Sequence, residues 1–205
     1  GDSSTAPDFF SFDGDEGVLC VAEVGHITGT EEGSEDFYTK IGLGGWYYSA
    51  DFDRIGSVDA DGNPTQHGGN YGAYLLGERA VYREPQAPER GLAAFARVGI
   101  ADSHVNTVGF YAGAGAVYTG LLRSRPHDQL GLGVAAAFVG HEFQDASKEA
   151  GIDADEAEVA IELTYRAQLT PWLAVQPDLQ YIVNPSFDPS VDDALALGAR
   201  FEVSF

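Results

Sequence analysis

The feature that most constrains this chain is a two-residue alternation that returns in segment after segment. In "AEVAIELTYRAQL", Ala157, Val159, Ile161, Leu163, Tyr165, Ala167 and Leu169 fall on one side. Glu158, Glu162, Thr164, Arg166 and Gln168 fall on the other. "LAVQPDLQYIV" sets Leu173, Val175, Leu179, Tyr181 and Val183 against Gln176, Asp178 and Gln180. "ALALGARFEVSF" sets Leu195, Leu197, Ala199, Phe201, Val203 and Phe205 against Arg200, Glu202 and Ser204. A period of two is that of a β-strand with one apolar and one polar face. An apolar face of this kind must be covered, either by a second sheet in a sandwich or by lipid around a membrane barrel.

Nine segments read as strands: 17–28, 37–52, 70–83, 91–102, 107–122, 129–143, 157–169, 173–183 and 194–205. Helical periodicity is almost absent, and strands at this spacing with turn residues between them indicate a barrel or a sandwich. The segments run 11 to 16 residues. Globular strands centre on about 5–6 residues, whereas a tilted bilayer crossing needs about 9–11. Connections also alternate in length. "TPW" (170–172) and "EPQAPER" (84–90) are compact, while "DRIGSVDADGNPTQHGG" (53–69) and "QDASKEAGIDADE" (144–156) are long and acidic. Outer-membrane barrels have short periplasmic turns and longer external loops. The short "SHVN" link (103–106) is the exception, because it falls on the long-loop side. In "LLGERAVYR", adjacent Glu78 and Arg79 must point to opposite faces, and the glycine-rich segment from Thr107 assigns no face.

The charge balance excludes one class of partner. Thirty-two acidic residues against 11 basic ones give a formal charge of −21, which is unsuited to nucleic acid or to anionic lipid headgroups. Cys20 is alone, so neither an intrachain disulfide nor a cysteine metal cluster can form. No run approaches the ~20 apolar residues of a membrane helix. The chain has no Met and opens without a basic, apolar leader, so it reads as a mature, processed or truncated protein.

The terminal strand, closing on Phe205 with Phe201 and Val203 before it, resembles the C-terminal signal of bacterial outer-membrane proteins. More specifically, the chain resembles the carbohydrate-selective porins (OprB type). The resemblance lies in "KIGLGGWYYSADF", "GNYGAYLLGERAVYRE", "GLAAFARVGIADSHVN", "YTGLLRSRPHDQLGLGVA", "VQPDLQYIVNP" and "ALALGARFEVSF", and spans 17–205. It implies an all-β, antiparallel transmembrane β-barrel of sixteen strands, monomeric, in the bacterial outer membrane, passing small carbohydrates by diffusion. It also implies that the barrel-assembly machinery reads Phe201, Val203 and Phe205. Nine strands then constitute the C-terminal part of such a barrel, about seven strands short of the whole. With the C-terminus periplasmic, residues 1–16 fall in an external loop.

Lumen-facing candidates that could offer hydrogen bonds to sugar hydroxyls are Glu23, Arg97, Glu158, Glu162, Arg166, Gln168, Asp178, Gln180, Arg200 and Glu202. For any one of them the favoured reading is the plainer one, that Glu and Arg pair across strands and stiffen the wall. Trp46, Tyr47 and Tyr48 read as part of an interfacial aromatic girdle rather than a sugar platform. "DADGN" (59–63) echoes the start of a calcium loop but lacks the closing Glu, and His141-Glu142 has no second His four residues on. Ser103 and His104, as neighbours along a strand, would point apart, which is poor geometry for a nucleophile and its base. No enzyme, metal or cofactor is expected. The alternatives are a small non-conducting outer-membrane barrel, structural or enzymatic, and a soluble β-barrel that binds a ligand.

Overall fold

The cross-strand register decides how the alternating residues are used. The computed structural model describes residues 17–30 and 37–204. Its nine strands are β1 (Leu19–Thr28), β2 (Thr39–Val58), β3 (Pro64–Glu84), β4 (Ala87–Ala101), β5 (Val108–Thr119), β6 (Gln129–Val139), β7 (Ala157–Thr170), β8 (Leu173–Val183) and β9 (Ala194–Val203). They form one antiparallel sheet in chain order, and each of the nine expected strands is present. β1 and β9 are its edges.

Residues directly opposite one another share a face. One row across the sheet runs Lys40, Glu78, Phe95, Gly115, Gly133, Glu162, Gln180 and Ala196. The adjacent row runs Ile41, Gly77, Ala96, Ala114, Val134, Ile161, Tyr181 and Leu195. The first row lies on the face that carries the charges, the second on the face that carries the large aliphatic side chains. Among the described residues nothing covers the apolar face. Leu197 is 81% exposed and Phe201 70%, and the only buried apolar residues among those described are Ala174 and Phe187. A sandwich would hide this face under a second layer, and the described chain has none.

The polar face is short of side-chain volume, for a steric reason. A Cβ on Gly115 would sit 2.6 Å from the Phe95 ring and 2.8 Å from the Leu132 carbonyl. On Gly198 it would sit 2.6 Å from the Asp178 carboxylate. Glycine at these positions lets a neighbouring long side chain lie flat across the next strand. Pro177, in the interior of β8, removes one ladder donor, and the paired register on either side of it is unchanged.

The structure departs from the sequence reading in the connections. Much of 53–69 is strand, because β2 and β3 continue to a tight turn at 59–63, where Asp59 accepts from the amides of Asp61 and Asn63 at 2.9 Å each. Alternation in this stretch is masked by acidic residues and Gly, and cross-strand pairing overrides it. The link 84–90 shrinks to a two-residue turn at 85–86. β6 ends at Val139, and a helix, α1 (His141–Glu149), follows where strand and then loop were expected. It is only nine residues long, too short for periodicity to reveal. Its Phe143 meets Phe187 at 6.4 Å between ring centroids. Phe187 belongs to η1 (Pro185–Phe187) and is held at φ 59°, a strained conformation for a non-glycine residue that burial of its ring helps offset.

The β2–β3 turn, the link 102–107, α1 and η1 share one end of the sheet. The opposite end carries 85–86, 120–128 and 171–172, and there Asp128 gathers the local donors. Arg125 and the Tyr165 hydroxyl bind its carboxylate, and the Gln168 amide donates to Oδ1 at 3.0 Å. Burial alone would raise the Asp128 carboxyl, but the bonds from Arg125, Tyr165 and Gln168 outweigh it and hold the group below the usual carboxylate range. A group lowered in the folded state stabilises above its unfolded pKa of about 3.9 and loses that contribution as pH falls through the folded value. Arg125 is partly in water, which trims the pair's worth, so Asp128→Asn is expected to cost about 1 kcal/mol at neutral pH. Urea unfolding in detergent should show a constant gap between the two proteins from neutral down to about pH 4, closing only below that.

Candidate functional site

All ten polar residues singled out from the sequence stand on the same face. Glu23 is linked to Glu158 through the row Gly44, Tyr74, Gly99, Tyr111 and Ala137. Glu162 and Gln180 are directly opposite, as are Gln176 and Arg200, and Ala174 and Glu202. Arg97 pairs with Leu76 and Gly113, Arg166 with Gln129, Gln168 with Ala174, and Asp178 with Thr164 and Gly198.

These residues meet in small groups rather than at one centre. Arg166 donates to Glu202 Oε2 at 3.0 Å and to Gln168 Oε1 at 2.8 Å. Gln180 donates to Glu162 Oε2 at 2.7 Å, and the Ser186 amide donates to Glu158 at 2.6 Å. The Arg97 guanidinium lies over the Phe95 ring, 5.7 Å from its centroid. The face therefore offers a band of charged and amide groups already partly engaged with one another. Such a surface can exchange hydrogen bonds with a passing polyol and let it go.

Two corrections concern aromatic and loop residues. Trp46, Tyr47 and Tyr48 do not form one girdle. Tyr47 stands on the apolar face, while Trp46 and Tyr48 stand with the charges, because consecutive strand residues alternate. Tyr74, which the sequence reading did not single out, donates from its hydroxyl to Glu23 at 2.7 Å. The row pattern of "KIGLGGWYY" against "NYGAYLLGE" carried that information, but only once the register was fixed. Ser103 and His104 lie in a link, not in a strand, so the argument from alternation does not apply to them. Ser103 Oγ lies 3.2 Å from His141 Nδ1, an exposed ring on α1 rather than its own neighbour. Glu78 is on the polar face and Arg79 on the apolar face near its end, where a long side chain can reach water. Phe201 and Val203 share the apolar face with Leu195 and Leu197. Phe205 and residues 1–16 lie outside the described residues.

A sheet of long antiparallel strands, largely apolar and uncovered on one side and charged on the other, has the face pattern of a wall in a porin-type membrane barrel. The chain belongs to the carbohydrate-selective porin, OprB family, whose sequence profile matches residues 1–205. Among curated proteins it is similar to Porin B of Pseudomonas aeruginosa, 30% identical over 213 aligned positions. That match covers 94% of this chain and 46% of the relative. It is also similar to the putative porin QuiX of Acinetobacter baylyi, 26% identical and covering 80% of this chain and 39% of that one. A high-pH structure of Pseudomonas putida OprB superimposes with a TM-score of 0.81 at 27% identity, over 97% of this chain and 51% of that one. The chain thus spans about half the length of the relatives it matches.

The Arg166–Glu202 pair tests whether these contacts are structural struts. Glu202 is half-exposed. A double-mutant cycle with Arg166→Ala and Glu202→Ala, read by urea unfolding in detergent, should give a coupling below about 1 kcal/mol. A larger value would make the pair a structural element of the wall.

Proposed function

We propose that the intact protein is a bacterial outer-membrane porin that lets small carbohydrates diffuse passively into the cell. The reading is carried by one observation, the division of a nine-stranded sheet into an uncovered face rich in large apolar side chains and a face that carries most of the charges. Exceptions include Leu76 on the charged side and Arg79 on the apolar side. Lipid is the partner that an uncovered apolar face of this size requires, and a closed barrel is the form in which strands can meet it without an open edge. Further strands beyond β1 and β9 would complete a sixteen-stranded monomer with the charged face toward the lumen. The end with the 85–86 and 171–172 turns then faces the periplasm together with the C-terminus, and the end with α1 faces outward. Phe201, Val203 and Phe205 would serve the barrel-assembly machinery as its recognition strand before packing against lipid.

Within the pore, Glu23, Arg97, Glu158, Glu162, Arg166, Gln168, Asp178, Gln180, Arg200 and Glu202 would exchange hydrogen bonds with sugar hydroxyls. Contacts must be weak and repeated for flux to continue, and the partial pairing along this wall supports that. Five of the ten are acidic and three are arginines. This balance, with the overall charge of −21, disfavours anions. No chemistry is done on the permeant.

Liposome swelling with the intact protein tests the proposal. A neutral monosaccharide should enter much faster than through lipid alone, and a monovalent anion of similar size should enter more slowly than the sugar. Sugar entry no faster than through protein-free liposomes would overturn the reading.

A further inference from the structure

At the end of the sheet that carries α1, side chains distant in sequence converge on one buried carboxylate. Asp102 is 4% exposed and sits where β4 gives way to the link. Its Oδ2 lies 3.0 Å from His67 Nε2 and its Oδ1 lies 2.8 Å from His104 Nδ1. The two imidazoles are stacked, with centroids 4.8 Å apart and planes within 2°. One ligand atom from each of the three residues can be chosen so that all lie within 4.8 Å of one another. We propose that His67, Asp102 and His104 bind a first-row transition-metal dication of the Zn2+ type.

Three features of the site support this. First, His104 meets carboxylates at both ring nitrogens, Asp102 at Nδ1 and Glu142 Oε1 at Nε2, the latter at 3.1 Å. A neutral imidazole has a single N–H and satisfies one of them. With a metal on Nδ1 and the proton on Nε2, the ring satisfies both, and His104–Glu142 becomes the carboxylate–histidine pair that orients metal-bound imidazoles. Second, two carboxylates well shielded from water, Asp102 and Glu142, meet here, and among the described residues the arginine beside them is Arg54, 3.6 Å from Glu142. Third, the backbone at Asp102 is fixed in advance. Asn106 donates to the Asp102 carbonyl from its amide at 3.0 Å and from its side chain at 2.8 Å. Asn70 and Asn106 exchange side-chain bonds at 3.2 and 2.7 Å.

Ligands about 2.0–2.1 Å from a tetrahedral ion stand roughly 3.3 Å apart, so the two nitrogen–oxygen pairs would open by a few tenths of an ångström. Ligand atoms as far as 4.8 Å apart would close by about 1.5 Å as the stacked rings turn toward one ion. Three protein ligands leave a fourth position, and Asp102 and His104 border a cavity of about 410 Å³ that also reaches Ser103 and His141. Two imidazoles and a carboxylate favour Zn2+, Cu2+ or Ni2+ over Ca2+ or Mg2+. A bound ion would tie β3, the 102–107 link and, through Glu142, α1 into one rim, whether or not the barrel conducts sugar.

The test uses the intact protein in detergent, without a polyhistidine tag and stripped with chelator. Equilibrium dialysis against Zn2+ at near-neutral pH should yield one bound ion per chain. His67→Gln and His104→Gln should each lose it, Glu142→Gln should weaken it about 10–100-fold, and His141→Gln should leave it unchanged. Heat-modifiable migration on gels reports whether each variant is still folded. Cu2+ loaded into the unaltered protein gives a reading that needs no variant, an electron paramagnetic resonance spectrum split by two imidazole nitrogens. Absence of stoichiometric Zn2+, binding that survives both His67→Gln and His104→Gln, loss on His141→Gln, or a copper spectrum without two nitrogens would each overturn the proposal.

Discussion

Everything in this structure depends on where backbone hydrogen bonds are made. Each strand satisfies its N–H and C=O groups on the strands beside it, leaving both faces of the sheet free to meet different solvents. In hydrocarbon an unpaired backbone group costs several kcal/mol, so only a sheet that pairs laterally from strand to strand can carry an apolar face into lipid. This sheet follows that rule across nine strands in sequence order. Even Pro177, which cannot donate, leaves the register the same on either side of it, with Thr164 opposite Asp178 and Ala167 opposite Val175. Stability then comes from the ladder and, in the proposed membrane setting, from lipid rather than from an internal core, in keeping with Phe187 as the only large apolar side chain buried among the described residues.

The two faces solve different packing problems. The apolar face is built from branched and aromatic side chains standing in rows, such as Val134, Ile161, Tyr181 and Leu195. The polar face must hold long, charged side chains over strands only ~4.8 Å apart. Glycine opposite an aromatic or a carboxylate makes that room, as at Gly115 beneath Phe95 and Gly198 beside Asp178. What reads in the sequence as conformational looseness is steric accommodation. The acidic excess gathers on this wettable side and in the connections, where charge is cheap to hydrate.

The late strands were legible because their alternation is uninterrupted. Val159 to Leu169, Leu173 to Val183 and Leu195 to Val203 could be assigned to faces from periodicity alone, and with them most of the charged wall. Glu23 and Arg97 were harder, since their strands mix apolar residues on both sides, yet the register carries both to the charged face. Glycine-rich β5 could not be read at all, because residues without side chains leave no pattern for periodicity to use. Trp46, Tyr47 and Tyr48 were grouped by type, although adjacency in a strand guarantees that they separate. The cluster around Asp102 was hidden for another reason. His67, the Asp102–His104 link and Glu142 come from three places in the chain, and only pairing of β2, β3 and β4 with the return of α1 brings them together.

Accessibility of β7 to lipid and to water measures the central claim, that the two faces meet different solvents. In a Cys20→Ser background, Ile161→Cys, Glu162→Cys, Leu163→Cys and Thr164→Cys would each carry a nitroxide in the intact, bilayer-reconstituted protein. Relaxation enhancement by dissolved oxygen should dominate at 161 and 163, and enhancement by a water-soluble nickel chelate at 162 and 164. Four positions with equal exposure to the chelate would contradict the account, because the apolar face would then be in water.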